Sequence, residues 1–250
     1  MNTLNKKHIW IIGASSGIGH ALATELSNQG AHLILSARNE DKLNNLNKDL
    51  GGRHHVLPLD VANAAACVKA AQSIEKLDSV IFLAALYAPH SKKRKDIRFI
   101  HDMINVNLGG AFSIVEAILP TFETQGFGQI VLCGSVAGYR GLPYGQPYCA
   151  TKAAIINYAE SLKIELEDQK IDVKVINPGF VRTPLTDKND FPMPMMIEAK
   201  DAARCIAKDL LTRKFEIHFP KKFTWIMKFL GIIPTPLYFM ISRKMKKKQE

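Results

Sequence analysis

Residues 8 to 19 of the chain read H-I-W-I-I-G-A-S-S-G-I-G, and this stretch decides the fold. It opens with a short apolar run that predicts a buried strand, and an amphipathic helix is predicted after it, over His20–Asn28. Gly13 permits a tight turn, Gly17 lets the backbone approach a pyrophosphate, and Gly19 lets the helix pack closely on the strand. Strand, glycine turn and helix in this order form a binding site for phosphate at a helix N-terminus.

The same alternation of apolar and amphipathic segments continues along the chain. Further strands are predicted at His32–Ser36, His55–Leu59, Ser79–Ala84, Gln129–Cys133, Asp172–Ile176 and Glu216–Phe219. Helices are predicted between them, at Asn39–Leu50, Ala62–Glu75, Phe99–Phe122, Tyr148–Glu167 and Asp201–Leu211. This order indicates the α/β class, with a doubly wound, Rossmann-like parallel sheet of about seven strands and helices on both faces. We expect one dinucleotide-binding catalytic domain over residues 1–220 and a C-terminal apolar and basic helical extension over residues 221–250.

The positive charge of the chain is concentrated at its C-terminal end. The formal net charge is +10 over 250 residues. Residues 221–250 contain eight Lys or Arg and one acidic residue, so this segment alone contributes +7 (8 − 1) and the remaining body is close to neutral. Because the terminal basic cluster has no interleaved base-stacking aromatics, the sequence does not indicate a nucleic-acid binder.

Cysteine and histidine spacing bears on metal binding and on the cellular compartment. The four cysteines and eight histidines show no metal-ligand spacing, so we expect reduced thiols and no metal site. No apolar signal stretch precedes the first predicted strand. These features predict a cytoplasmic protein.

The end of the second predicted strand indicates which dinucleotide is bound. Folds that prefer NAD place an acidic residue about here, where it binds the ribose 2′-hydroxyl. This chain has Ala37 and then Arg38, which could pair with a 2′-phosphate in a bidentate way. The missing acid and the neighbouring cation favour NADP(H). Asp60 and Val61, after the third strand, could contact adenine.

A serine, a tyrosine and a lysine lie within residues 135–152, S-V-A-G-Y-R-G-L-P-Y-G-Q-P-Y-C-A-T-K. On a helix, Tyr148 and Lys152 lie one turn apart on the same face. An ammonium beside a phenol favours the phenolate, so we expect the pKa of Tyr148 to fall from its usual value of about 10 towards neutrality. Such a phenol can donate or accept a proton, and the hydroxyl of Ser135 could reach the same substrate oxygen. An isolated Tyr-x-x-x-Lys pair is more often an exposed helix pair, so this hypothesis depends on the neighbouring motifs.

Those motifs, taken together, resemble the short-chain dehydrogenase/reductase family in its compact single-domain form. The resemblance covers residues 7 to 220 and rests on I-G-A-S-S-G-I-G at Ile12–Gly19, L-D-V at Leu59–Val61, V-N-L-G-G at Val106–Gly110, G-S-V-A-G at Gly134–Gly138, Y-C-A-T-K at Tyr148–Lys152 and N-P-G-F-V-R-T-P at Asn177–Pro184. One departure is F-L-A-A at Phe82–Ala85, where the family usually carries N-N-A-G. The asparagine side chains that brace neighbouring strands are therefore absent, which bears on cofactor affinity.

The resemblance implies a role for each matching residue. Tyr148 would be the general acid/base, Lys152 would lower its pKa and hold the nicotinamide ribose, and Ser135 would stabilise charge on the substrate oxygen. Asn107 would anchor a water in a proton relay, and Thr183 would contact the nicotinamide carboxamide. The predicted cofactor contacts are Gly13, Ser15, Ser16, Gly17, Ile18, Gly19, Arg38, Asp60, Val61, Ala84, Ala85, Tyr148, Lys152, Pro178, Gly179, Val181 and Thr183.

The implied activity is NADP(H)-dependent interconversion of a carbonyl and an alcohol, running as a reductase. In the family, the segment Leu185–Ile197 usually forms a mobile lid over the substrate, and here it contains Met193, Met195 and Met196. Because methionine adapts to irregular apolar shapes, these residues indicate a hydrophobic ketone, aldehyde or alcohol, although they could equally pack on the core. The alternative function is a non-catalytic NADP(H)-binding sensor or scaffold. The family also implies a homodimer or homotetramer.

The C-terminal segment Phe223–Ile241 is apolar, but polar and helix-breaking residues interrupt it, which disfavours a membrane-spanning helix. We predict a helix with one polar face, formed by Lys221, Thr224 and Lys228, opposite an apolar face, formed by Phe223, Ile226, Met227 and Leu230. With the basic residues 243–248, this pattern indicates peripheral contact of residues 221–248 with the anionic inner face of a membrane. The alternative is a helical pair that covers the substrate cleft or a subunit interface.

Overall fold

The computed structural model describes residues 3–88 and 96–247, with side chains through residue 244. The strands are β1 His8–Ile12, β2 His32–Ser36, β3 His55–Val56, β4 Ser79–Phe82, β5 Gly128–Cys133, β6 Ile171–Pro178, β7 Val181–Arg182, β8 Ile197–Glu198 and β9 Glu216–Phe219. Seven of them form one parallel sheet in the order β3-β2-β1-β4-β5-β6-β9. The predicted doubly wound parallel sheet is confirmed. The short strands β7 and β8 pair with each other outside it.

Helices cover both faces of the sheet. They are α1 Gly17–Asn28, α2 Glu40–Asp49, α3 Ala64–Gln72, α4 Ile97–Ile104, α5 Gly110–Gln125, α6 Tyr148–Glu165, α7 Ala199–Leu210, α8 Lys221–Ile232 and α9 Thr235–Lys247. One hydrophobic core packs α3, α5 and α6 on one face, and a second packs α1, α2 and α7 on the other. The side chains of β1 alternate between the two cores: Trp10 points into the first, and Ile9 and Ile11 point into the second.

Some boundaries differ from those predicted, for local physical reasons. Helix α1 begins at Gly17 instead of His20, because the backbone N–H of His20 already donates to the carbonyl of Ser16. Strand β3 ends at Val56, although the backbone N–H groups of Leu57 and Leu59 still donate to the carbonyls of Leu35 and Ala37 at the end of β2. Helices α4 and α5 are joined by a π-helical turn, Asn105–Gly109, so the predicted long helix is continuous but locally widened.

Among the described residues, one helical stretch is long and apolar enough to cross a membrane, by length and composition alone. It is the continuous stretch Ile97–Gln125, with a mean hydropathy of 1.3 in its most apolar window. Its buried side chains, which include Ile114, Ile118 and Phe122, belong to the first hydrophobic core. This packing is typical of a core helix.

The last two helices, α8 and α9, are separated by residues 233–234 alone, and we name the two together the C-terminal hairpin. Helix α8 begins at Lys221, where the predicted extension begins. The predicted apolar face of α8 is divided, because Met227 is buried on the same side as Thr224 whereas Ile226 is exposed. The reason is that β9 supplies buried polar partners for the polar side of α8. The basic run 243–248 is described only in part, because side chains from residue 245 onward lie outside the described residues.

Candidate active site

The carboxyl ends of the central strands open onto one cleft of about 680 Å³. It lies where the strand order reverses between β1 and β4, which is where doubly wound sheets bind their ligands. Every predicted cofactor contact lines this cleft: Gly13, Ser15, Ser16, Gly17, Ile18, Gly19, Arg38, Asp60, Val61, Ala84, Ala85, Tyr148, Lys152, Pro178, Gly179, Val181 and Thr183. The sequence analysis missed further lining residues, including Lys42, Leu86, Leu185 and Thr186.

The glycine turn after β1 is sterically required at two positions. Gly13 has a φ of +100°, and a Cβ there would lie 2.7 Å from the backbone nitrogen of Ala84. A Cβ on Gly19 would lie 2.1 Å from the carbonyl oxygen of Gly13. Both residues therefore hold the first turn of α1 against the end of β1, and backbone N–H groups of α1 face the cleft. This geometry suits the binding of a pyrophosphate.

The end of β2 places two cations at one end of the cleft. Arg38 and Lys42 both line it and both are exposed. Asn39 caps α2, because its side-chain oxygen accepts a hydrogen bond from the backbone N–H of Lys42 at 2.8 Å. This cap fixes the first turn of α2, which carries Lys42, next to the end of β2. The edge of the cleft therefore presents positive charge where an acid would stand in an NAD-preferring site.

The other end of the cleft brings together Ser135, Tyr148 and Lys152. Ser135 follows β5 and begins a short 3₁₀ turn, with its hydroxyl accepting a hydrogen bond from the N–H of Ala137 at 3.1 Å. Tyr148 and Lys152 lie one turn apart at the start of α6, as predicted. The ammonium of Lys152 is almost completely buried and donates to the carbonyl oxygen of Cys133 at 2.7 Å. It also lies 5.6 Å from the centroid of the Tyr148 ring.

The structure corrects the predicted pKa shift of Tyr148. Burial raises the pKa of the Tyr148 phenol, and hydrogen bonding with Ser135 offsets only part of this effect. Burial also lowers the pKa of Lys152. The expected lowering of the Tyr148 pKa by Lys152 does not occur here, because the ammonium is directed to the carbonyl of Cys133 and desolvation dominates at the phenol. Tyr148 is therefore a protonated phenol at neutral pH.

Asn107 is the one predicted catalytic residue that does not line the cleft. It lies in the π-helical turn and is completely buried. Its side-chain oxygen accepts from the N–H of Leu86 at 2.6 Å, and its amide donates to the carbonyl of Leu86 at 2.9 Å and to the hydroxyl of Thr151 at 3.2 Å. Asn107 therefore braces the segment after β4, where the asparagines of the usual N-N-A-G are replaced. Its role in a proton relay stays a prediction.

Tyr87 is a residue near the site that the sequence analysis missed. Its ring packs edge-on against Tyr148, with centroids 4.9 Å apart, and its hydroxyl donates to the side-chain oxygen of Asn189 at 2.5 Å. The amide of Asn189 in turn donates to the sulfur of Met193 at 3.4 Å. Tyr87 thus connects Tyr148 to the segment Leu185–Ile197. The one available signal was its place just after β4, at the carboxyl edge of the sheet.

The methionines of the segment Leu185–Ile197 are not packed into either core. Met195 is exposed, and Met193 and Met196 are only partly buried. The alternative that they pack on the core is therefore wrong. Their apolar surface remains available beside the cleft.

A doubly wound sheet with a glycine turn after β1, and with serine, tyrosine and lysine at its carboxyl edge, defines a dinucleotide-dependent oxidoreductase. Comparison with known proteins identifies the family. The sequence profile of the short chain dehydrogenases matches residues 7–192. The chain therefore belongs to the short-chain dehydrogenase/reductase family and is an oxidoreductase of that family.

Relatives and solved structures agree with this assignment. An uncharacterized oxidoreductase from Myxococcus xanthus is 30% identical over 243 residues, which cover 94% of this chain and 96% of the relative. A 3-oxoacyl-[acyl-carrier-protein] reductase from Rickettsia bellii is 33% identical over 71% of this chain and 74% of its own length. A short chain dehydrogenase from Burkholderia cenocepacia, solved in complex with NADP, shares the fold with a TM-score of 0.84 and 21% identity, covering 95% of this chain and 98% of that one.

Proposed function

We propose that the protein is an NADP(H)-dependent reductase that converts a hydrophobic ketone or aldehyde into an alcohol. The observation that carries this proposal is the arrangement of Ser135, Tyr148 and Lys152 at one end of the cleft, with Arg38 and Lys42 at the other. The first group suits proton transfer to a carbonyl oxygen. The second suits recognition of a 2′-phosphate. A dinucleotide is long enough to contact both ends at once.

Tyr148 is the proton donor in this proposal. Because burial raises its pKa, the phenol is protonated at neutral pH and can act as a general acid towards a carbonyl oxygen. A protonated phenol favours the reductive direction. The hydroxyl of Ser135 stabilises the negative charge that develops on the same oxygen. The buried ammonium of Lys152 lies 5.6 Å from the centroid of the Tyr148 ring and would donate to a ribose hydroxyl of the cofactor.

The cofactor fits the residues that line the cleft. Backbone N–H groups at the start of α1 would hold the pyrophosphate, and Thr183 would contact the carboxamide. Arg38 and Lys42 would hold a 2′-phosphate, and the Burkholderia cenocepacia structure with NADP supports this choice. When bound, NADPH supplies the hydride, and the protein supplies orientation and the proton.

The substrate is proposed to be an apolar carbonyl compound. Tyr87 packs against Tyr148, and Met193 contacts Asn189, the hydrogen-bond partner of the Tyr87 hydroxyl. The Rickettsia bellii relative, whose name describes reduction of a 3-oxoacyl group, supports a carbonyl on an extended apolar chain. We propose in addition that the protein forms a homodimer or homotetramer, as the family typically does.

A binding titration with NADPH and, separately, NADH tests the cofactor proposal. We expect NADPH to bind more tightly, and we expect Arg38→Ala with Lys42→Ala to weaken NADPH binding by about 10-fold or more, because two charged contacts to a phosphate are lost. NADH binding should be almost unchanged. Lys200→Ala, an exposed lysine outside the cleft lining, is the matched control.

A carbonyl screen with the NADPH-loaded protein then tests turnover. Apolar ketones and aldehydes should be reduced, and Met195→Ala with Met196→Ala should raise KM for apolar substrates more than for small polar ones. If NADPH binds tightly but no carbonyl compound is reduced, and Tyr148→Phe changes nothing, the sensor or scaffold function replaces this proposal.

A further inference from the structure

Helix α8 directs two of its polar side chains, Thr224 and Lys228, towards the protein, where they lie on the same side as the buried Met227. Thr224 is completely buried, with its hydroxyl 2.6 Å from Nδ1 of His218, and the ammonium of Lys228 donates to the carboxylate of Glu216. The opposite side carries large exposed apolar residues: Trp225, Ile226, Phe229 and Ile232. A helix that only covers a core turns its apolar side inward. Helix α8 buries Met227 but leaves these four large apolar side chains outside.

Helix α9 also exposes large apolar residues, namely Leu237, Phe239 and Met240. We name these seven exposed residues of α8 and α9 the outer face. The inner side of the hairpin is fixed to the body of the protein. Tyr238 is buried and donates to the carbonyl of Gly141, and the guanidinium of Arg140 lies 4.5 Å from its ring and donates to the carbonyl of Gly231 at 2.8 Å. The outer face is therefore held outward by polar contacts on the inner side.

Exposed cations lie one helical turn from the outer face. Lys222 is four residues before Ile226, and Arg243 and Lys244 are four residues after Phe239 and Met240. All three cations are exposed. Each therefore lies beside an apolar residue on the same side of its helix. Apolar and aromatic side chains flanked by cations match the boundary between acyl chains and anionic headgroups.

We propose that the outer face docks on the surface of an anionic lipid bilayer. Charge complementarity favours this occupant over a second copy of the chain. Residues 217–249 contain no Asp or Glu. A two-fold contact through the outer face would bring two acid-free, basic surfaces together, and like charges repel. Anionic lipid supplies the negative charge that the chain itself lacks here.

The hairpin is also connected to the substrate side of the cleft. The ring of Phe223 lies 5.2 Å from that of Phe180, which lies 6.1 Å from that of Phe191 in the segment Leu185–Ile197. Docking would therefore bring this segment close to the bilayer. If the proposed function holds, an apolar substrate dissolved in the lipid could enter from that side; the docking itself does not depend on the proposed function.

Tryptophan fluorescence reports docking directly. The chain has two tryptophans: Trp10 is completely buried in the sheet, and Trp225 is 61% exposed on the outer face. The full chain is titrated with vesicles of phosphatidylcholine alone and with vesicles that also contain phosphatidylglycerol. We expect a blue shift, and quenching by brominated acyl chains, only with the anionic vesicles. Added salt should weaken both signals.

Two variants and two matched controls separate the apolar and the charged contributions. Phe229→Ser with Ile232→Ser should lower the partition coefficient about 10-fold or more, because exposed apolar side chains no longer enter the lipid. Ile164→Ser, which removes a residue that is 76% exposed on α6, should change nothing. Lys222→Gln with Arg243→Gln and Lys244→Gln should lower it about 100-fold, at roughly fivefold per charge. Three exposed lysines elsewhere, Lys48, Lys69 and Lys200, replaced by Gln, should have a much smaller effect.

Light scattering of the same variants tests the competing occupant. If Phe229→Ser with Ile232→Ser lowers the oligomer mass, and neither vesicle type shifts the emission of the unchanged protein, the outer face is a subunit interface and the proposal is overturned. Equal binding to neutral and anionic vesicles would overturn the electrostatic part. None of these measurements requires cofactor or turnover, so their failure is distinct from a failure of the proposed reductase function.

Discussion

The cleft and the C-terminal hairpin each contain a lysine that is largely shielded from water, but the two lysines differ in their partners and in their effects. In the cleft, Lys152 is almost completely buried and donates to the carbonyl of Cys133, and within the described residues it forms no ion pair with a carboxylate. In the hairpin, Lys228 is paired with Glu216. The hairpin lysine is neutralised by its partner and stabilises the packing of α8. The cleft lysine keeps an uncompensated charge, which is costly for stability and useful for chemistry.

The largest expected effect concerns the cleft alone. Tyr148→Phe removes the proposed proton donor and should reduce kcat/KM for carbonyl reduction by about 10²-fold or more. Thermal unfolding and NADPH binding should stay close to those of the unchanged protein, because the ring is retained. Steady-state kinetics and calorimetry check the two halves of this prediction. Near-normal turnover would show that another group donates the proton.

The pH dependence of carbonyl reduction tests the protonation state of Tyr148. Burial raises the pKa of Tyr148, so the phenol stays protonated through the neutral range. The rate of reduction should therefore not vary with pH through ionisation of Tyr148 in the neutral range, and it should decline only in strongly alkaline solution, as the phenol loses its proton. A loss of kcat near pH 7 that disappears in a Tyr148→Phe background would restore the low pKa predicted from the sequence.

Lys228→Met tests the role of the lysine in the hairpin. It leaves the half-buried carboxylate of Glu216 without its cation, and the free energy of unfolding should fall by about 2 kcal/mol. Turnover at permissive temperature should remain, because Lys228 does not line the cleft. Denaturant unfolding followed by circular dichroism measures the loss.

Lys152→Met should change the free energy of unfolding and the turnover in the opposite way to Lys228→Met. Removing a buried ammonium that has only a carbonyl partner should raise the free energy of unfolding by about 1 kcal/mol, while carbonyl reduction is almost lost. If Lys152→Met and Lys228→Met destabilise the protein equally, the distinction between the two lysines is wrong.

Acid should loosen the hairpin. Burial alone would raise the pKa of Glu216, but hydrogen bonds from Lys228, Tyr139 and Asn177 hold it below its usual value of 4.5. The ionised carboxylate therefore stabilises the fold above that value, and this contribution is lost as the pH falls through the lower pKa of the folded state. Hydrogen exchange of α8 should accelerate in acid, and less so in Glu216→Gln, which already lacks the charge.

A readout local to the hairpin is needed for this experiment. Burial lowers the pKa of His54 to about 4, so this histidine also disfavours the folded state as the pH falls below 6.5. The hydrogen exchange of α8 relative to that of β5, a central strand without histidine, separates the two effects. Equal acceleration in both elements would attribute the acid response to His54 and the rest of the fold.

The sequence predicted the sheet and most of the cleft because these depend on local rules. Apolar runs and glycines set β1, the turn and α1, and parallel strands bring their carboxyl ends to one edge. The residues that follow those ends, from Gly13 to Thr183, therefore had to converge. Lys42 and Tyr87 were missed because neither belongs to a motif. Lys42 is positioned by the Asn39 cap of α2, and Tyr87 by its contact with the ring of Tyr148.

By itself, the sequence determined the doubly wound sheet, the family and the residues that gather at the cleft, because periodicity and short motifs act over a few neighbouring residues. Only the tertiary structure decided the environments of those residues. Burial, a property of the whole fold, reversed the expected pKa shift of Tyr148, and the bracing of Leu86 took up the side chain of Asn107. The orientation of α8 was set by Glu216 and His218 of β9, which bind Lys228 and Thr224. These contacts could not be inferred from the apolar pattern of the helix itself. A helical pattern defines two faces, but the partners across the interface decide which face is buried.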